Sequence, residues 1–192
     1  MSAVRQDHMT LEAFLDWESR QQFKHEFDGF QPVAMTGVTA AHATIQFNLL
    51  GLLFAHLRCH RCQAYGSDLK IQVVGRIRYP DAFIVCSAVA SRATVISDPV
   101  VVFEILSSST SYRDRIEMNA EYRDTASIRR YVMLEQSRPA ATVFSRVGDD
   151  WVGHIVLGDT ELALPEIEMM LPLADLYPGV TFPPGMDEAE VG

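Results

Sequence analysis

The reading of the fold turns on Tyr79-Pro80-Asp81-Ala82-Phe83-Ile84-Val85-Cys86 and on its counterpart Val100-Val101-Val102-Phe103-Glu104-Ile105-Leu106. Both are short apolar runs of strand length, rich in β-branched and aromatic residues. Each carries one carboxylate, Asp81 at the mouth of the first run and Glu104 inside the second. A buried carboxylate is costly unless it is paired, protonated or bound to a metal. Two of them on adjacent strands suit a hard cation, which takes oxygen ligands. Packing offers a plainer account, in which Asp81 caps a strand start and Glu104 pairs with an arginine, since structural ion pairs are common.

Upstream of this pair, Gln63 to Val74 reads as a strand with Asp68 and Lys70 on one face, and Gly75 to Arg78 as its turn into the Asp81 strand. Apolar residues at Ile45, Leu49, Leu52, Leu53 and Leu57 predict a helix from Ala40 to about Arg58, with His42, Gln46 and Asn48 on its more polar aspect. Further back, Asp28-Gly29 predicts a tight hairpin turn, and Thr10 caps a helix that runs to about residue 22. Downstream, Ser107 to Thr110 form a polar loop leading into a helix from about Tyr112 to Asp124. Strands follow at 129–135, 141–146 and 151–157, and another begins near Glu161. No repeat, linker or charge block divides the chain. The expectation is one α+β domain over 1–178, with an acidic, Pro- and Gly-rich tail over 179–192 that is expected to be mobile.

The 192 residues suffice for one sizeable core, and 48% hydrophobic with 21% charged residues is ordinary for a globular protein. The apolar runs read as too short to span a bilayer and the first residues lack a leader pattern, so no membrane is expected. Three cysteines, Cys59, Cys62 and Cys86, make no even disulfide framework, which makes a reducing cytoplasm the expected compartment. A net charge of −9 argues against tight, sequence-independent coating of nucleic acid, which is driven by phosphate neutralisation. Of the 16 basic residues only Lys24 and Lys70 are lysines.

Several segments now carry a resemblance. His25-Glu26-Phe27-Asp28-Gly29, Tyr65-Gly66-Ser67-Asp68-Leu69-Lys70, Tyr79-Pro80-Asp81, Asp98-Pro99 through Glu104-Ile105-Leu106-Ser107, Ser109-Thr110 and Arg129-Arg130-Tyr131-Val132 together resemble the Uma-type restriction endonucleases, in matching order over about residues 10 to 177. That family is similar to the PD-(D/E)XK nuclease superfamily. The resemblance implies a restriction-endonuclease-like core, a central mixed β-sheet flanked by helices with an N-terminal hairpin. It also implies Asp81 and Glu104 as ligands of Mg²⁺ or Mn²⁺, Glu26 as an additional acidic residue, and DNA as the substrate of a metal-dependent cleavage. A homodimer would supply paired sites for the two strands of a duplex.

The lysine of the E-x-K pattern is the departure. Two residues after Glu104 stands Leu106, and the helix position where the family commonly has a lysine is occupied by Met118. Methionine neither carries charge nor donates a hydrogen bond. Lys70 is therefore the candidate to orient water or stabilise phosphate charge, with Lys24, close to Glu26, as the other lysine; read structurally, Lys70 only pairs with Asp68. Arg115 holds its proton too firmly for that work. A weakened or inactive nuclease-like binding protein is the competing reading.

Other constellations are weaker. His56 and His60 at i, i+4 with Cys59 and Cys62 suit zinc, but no second pair follows, and cationic groups at a helix C-terminus are the simpler account. The serines at 107–109 lack the G-x-S-x-G elbow of a hydrolase and read as loop residues. Arg113, Arg115, Arg123, Arg129 and Arg130 could contact a nucleic-acid backbone or simply form a solvated face.

Overall fold

The computed structural model describes residues 8–106 and 112–182, apart from the side chains of 112–115 and 117. Thr10 caps helix α1, Leu11–Glu18, by accepting from the Ala13 N–H. Strands β1 (His25–Phe27) and β2 (Pro32–Ala34) pair antiparallel. Their connection has four residues rather than the expected two, because the Asp28 carboxylate accepts from the N–H groups of Phe30 and Gln31, at 2.8 Å each, and builds a wider turn. Helix α2, Ala40–Leu57, starts at Thr39, whose hydroxyl accepts from the His42 N–H.

The next segment departs from the expected hairpin. Residues 63–74 are two strands, β3 (Gln63–Gly66) and β4 (Lys70–Val73), separated by a turn closed from Leu69 N–H to Gly66 O. β4 pairs with β5 (Arg76–Arg78), whereas β3 pairs with the Asp81 strand β6 (Ala82–Val85). Lys70 is thus not on the strand beside Asp81. A short strand β7 (Val95–Ile96) lies between the two carboxylate-bearing runs, and β8 (Val101–Leu106) follows. Helix α3, Tyr112–Asp124, leads into β9 (Arg130–Glu135), β10 (Ala140–Val147) and β11 (Asp150–Leu157), and a final pair β12 (Glu161–Leu164) and β13 (Met169–Pro172) completes the order.

The central sheet runs β11-β10-β9-β8-β6-β3 and is mixed, since only β8 and β9 pair parallel. A second sheet, β2-β1-β5-β4-β7, flanks it. Period-2 alternation explains why both faces of β6 and β8 are apolar. Ala82, Ile84, Val101, Phe103 and Ile105 pack with Ile45, Leu49, Leu53 and Leu57 of α2. Phe83, Val85 and Val102 turn the other way and pack with Tyr122 of α3 and Ile71 and Val73 of β4. α2 is long and apolar enough to cross a bilayer by composition, contrary to the sequence expectation, but its buried stripe lies on the sheet. The α+β architecture with a mixed sheet between helices is as expected.

One covalent feature overturns an expectation. Cys62 and Cys86 form a disulfide, while Cys59 is free and exposed. The register pairs Gln63 with Val85, so the two cysteines are the next cross-strand partners of β3 and β6. An odd cysteine count hid one bridge and one spare thiol. The expected loop at 107–110 and the tail beyond 182 lie outside the described residues.

Candidate active site

β6 and β8 pair with Ala82 opposite Phe103, so one further step sets Asp81 opposite Glu104 at the end of the central sheet. Cross-strand neighbours share a face and lie within side-chain reach. A cleft of about 310 Å³ opens there, lined by Glu26, His42, Tyr79, Asp81, Glu104 and Ile105 and bounded by the 33–39 segment.

Both oxygens of Asp81 are held. Oδ2 accepts from the Ile105 N–H at 2.7 Å, and Oδ1 lies 2.7 Å from His42 Nε2. Its backbone carbonyl accepts from Gln46 Nε2 at 2.8 Å. Glu104 accepts from the Tyr122 hydroxyl at 2.6 Å through Oε1. Burial pushes the Glu104 carboxyl well above the ordinary range, the charge of Asp81 pushes it further, and the Tyr122 bond only partly opposes them. The Tyr122 hydroxyl is raised for matching reasons, burial first and then the Glu104 charge.

Glu26 is the third acid of the cleft. Oε1 accepts from the Tyr79 N–H at 3.0 Å and Oε2 from Arg78 at 3.1 Å. Burial raises its pKa, and the Arg78 charge opposes the rise. Arg78 in turn grips Glu121 of α3 through two bonds of 2.8 Å, and Arg76 bonds the same carboxylate. Glu26 therefore belongs to a buried charge network that joins β1 and β5 to α3 behind the cleft.

The structure does not bring the lysines to this cleft. Lys70 is buried, and its Nζ donates to Glu18 of α1 at 2.5 Å, where the Tyr79 hydroxyl also donates at 2.6 Å. Burial alone would raise the Glu18 pKa, but the bonds from Lys70 and Tyr79 outweigh it and hold the carboxyl below its ordinary value. Lys24 donates to Ser67 O at 2.8 Å and bonds Asp68, the partner that sequence alone suggested for Lys70. Met118 packs against the Tyr122 side of the core, one helical turn before that tyrosine.

Among the described residues, no three His, Cys, Asp or Glu side chains converge as a metal cage. Two facing carboxylates fit instead an open site of the Mg²⁺ type, completed by water and substrate oxygens. The zinc constellation is not assembled, since Cys62 is in the disulfide and His56 Nε2 lies 2.8 Å from Ile167 O. Arg130 is buried against Glu166 and so is not a free backbone contact, whereas Arg123, over the Phe144 and Trp151 rings, and Arg129 are both exposed. Arg113 and Arg115 fall outside the described side chains. His42, Gln46 and Tyr122 went unread as site residues. Their one signal was the i, i+4 spacing of His42 and Gln46 on a single face of α2.

A mixed sheet between helices, with facing carboxylates at its end, has the restriction-endonuclease-like fold. A solved Anabaena variabilis protein described as "a putative nuclease belonging to DUF820" shares it, at a TM-score of 0.76 over 90% of this chain and 99% of that one, with 15% identity. Residues 11–174 match the Uma2 family, described as "Putative restriction endonuclease", and the chain belongs to that family. An uncharacterized Synechocystis protein is 30% identical over 178 residues, spanning 91% of this chain and 94% of its own length. A second from the same organism is 22% identical over 157 residues, spanning 79% and 89%.

Proposed function

We propose that the chain is a divalent-metal-dependent endonuclease that hydrolyses DNA phosphodiester bonds, with Asp81 and Glu104 holding Mg²⁺ or Mn²⁺. The observation that carries this reading is the pair itself: Asp81, one step beyond the Ala82–Phe103 pairing, lines the same cleft as Glu104. In keeping with that, burial and then the Asp81 charge hold the Glu104 carboxyl well above its ordinary range. A bound cation would offset that repulsion, polarise the phosphate and lower the pKa of an attacking water. The chain's own groups do the rest. The Ile105 N–H orients Asp81, Tyr122 orients Glu104, and Glu26 anchors the Tyr79 turn that leads into Asp81. Lys70, outside the cleft, acts in this proposal by fixing Glu18, which also holds the Tyr79 hydroxyl. Paired active sites in a homodimer belong to the same proposal, as does a place in the cytoplasm, which rests on the access to DNA that a nuclease needs and no longer on the cysteine count, since Cys62 and Cys86 are bridged.

One observation favours a second reading. Both lysines are bonded to carboxylates away from the cleft, and Met118 stands at the family's helix-lysine position. A nuclease-like fold that binds nucleic acid without cutting it would have this arrangement. Plasmid nicking in Mg²⁺ or Mn²⁺ separates the two. The nuclease reading expects the wild type to cut and Asp81→Ala and Glu104→Ala to lose 100-fold or more, a scale of about 10²–10³ for a deleted electrostatic group. Equal rates in all three proteins sink the site. A wild type that binds Mn²⁺ by calorimetry but never cuts supports the binding protein.

A further inference from the structure

The geometry points to His42 as a positioning residue that fixes the Asp81 carboxylate for a cation. This inference rests on the cation reading above and adds a residue that no sequence pattern supplied. His42 is only 6% exposed, in the first turn of α2, where its N–H is already committed to the Thr39 cap. Its ring lies among the cleft residues, with Nε2 at 2.7 Å from Asp81 Oδ1. A carboxylate oxygen accepts, so Nε2 carries the proton and donates. Nδ1 is buried with no hydrogen-bond partner among the described residues. An apolar side chain would fill the same space without the penalty of an unpaired nitrogen, so packing alone does not account for an imidazole here.

What the imidazole does is complete a clamp. The Ile105 N–H holds Oδ2 from the β8 side, and His42 holds Oδ1 from α2. One turn further along α2, Gln46 holds the Asp81 backbone carbonyl. Each carboxylate oxygen has two lone pairs, so one donor apiece fixes the plane of the group and leaves acceptor capacity for a cation. Without the His42 bond, the carboxylate is free to rotate about its Cβ–Cγ bond on the α2 side. Outer hydrogen bonds of this kind typically change metal affinity by about 10–100-fold.

The test is Mn²⁺ calorimetry on the full chain, with thermal melts to monitor folding. His42→Ala is expected to bind Mn²⁺ at least about tenfold more weakly at an unchanged fold. His42→Gln, whose amide nitrogen can reach the same oxygen, is expected to stay within about threefold of wild type, by the same hydrogen-bond logic. Nicking by His42→Ala should recover as Mn²⁺ is raised, with the KM for DNA unaltered. Should the alanine variant unfold, His42→Met, which fills the space without a donor, carries the comparison. If neither apolar variant folds, or if a folded one binds Mn²⁺ like wild type, the proposal is overturned. It is overturned too if His42→Gln binds as weakly as the apolar variants. Uptake that survives Asp81→Ala, or a wild type that takes up no Mn²⁺, overturns the cation reading as a whole and this inference with it.

Discussion

Glu104 is where folding and function pull in opposite directions. Burial and the Asp81 charge raise its pKa, so the folded chain keeps a proton that the unfolded chain, with an ordinary value of 4.5, has already released. The folded state then binds more protons than the unfolded one, and stability declines as pH rises through the folded pKa. Below the unfolded value the term is fully favourable. Glu104→Gln carries no titrating proton and is free of this loss. In chelator-treated protein its melting temperature should exceed that of wild type at about pH 8, with the gap closing towards about pH 4. The expected gap is about 2–4 °C per kcal/mol relieved in a chain of this size. Mn²⁺ should then raise the wild-type midpoint and leave the variant's unchanged, because only a ligand of the folded state stabilises it. An equal gap at both pH values would refute the assignment of strain to this carboxyl. Asp81 and Glu104 were legible in the sequence because each sets a charge at or within an apolar run, where a carboxylate needs a partner, a proton or a metal. His42 was not, because a histidine on the polar aspect of a helix looks solvated until the fold shows it turned towards Asp81.

At the scale of elements, the break between β3 and β4 decides which lysine could serve. The alternation of Asp68 and Lys70 imitates one continuous strand, yet the chain leaves the central sheet after Gly66, and Lys70 restarts in the flanking one. A carbon added at Gly66 would meet the Leu50 side chain of α2 at 3.0 Å, so the strand end packs directly against the helix. Helices were easier to read than strand partners, because a 3.6-residue stripe is local whereas pairing depends on turns. The β4–β5 hairpin illustrates such a turn. Val73 pairs with Arg76, leaving Val74 and Gly75 as a two-residue loop with φ of 45° and 76°. Two successive positive φ values suit a type I′ turn, in which Asn-Gly is favoured. A β-branched residue in that region is strained. Val74 is 58% exposed and has no core role to set against the strain. Val74→Asn should therefore stabilise the protein by about 1 kcal/mol, read as a higher urea midpoint at an unchanged slope. A lower midpoint would show that the valine side chain contributes more than its backbone costs.

For the whole molecule, the question is what joins the parts that carry the site. Both sheets and α2 line the cleft and α3 reaches it through the Tyr122–Glu104 bond, all by non-covalent contacts, and the Cys62–Cys86 bridge adds one covalent tie between β3 and β6. β6 has Cys86 just beyond one end and Asp81 just before the other, five residues away in sequence, which along an extended strand is about 16 Å. The bridge should thus act on global stability and leave the site alone. Its sequence separation of 24 corresponds to about 3.5 kcal/mol in the chain-entropy account. In a Cys59→Ser background, which removes the free exposed thiol, replacing both bridged cysteines by alanine should lower the melting midpoint by about 7–14 °C. Dithiothreitol should do the same to the parent and nothing further to the double variant. Well below its midpoint, the bridgeless protein should bind Mn²⁺ as the parent does, because the Gly66–Ala82 pairing and the Ile105–Asp81 bond still fix the strand at the cleft. A loss of Mn²⁺ binding in the folded double variant would mean that the bridge sets the register of β6 over its whole length, and Asp81 would then depend on the redox state of a bond at the far end of its strand.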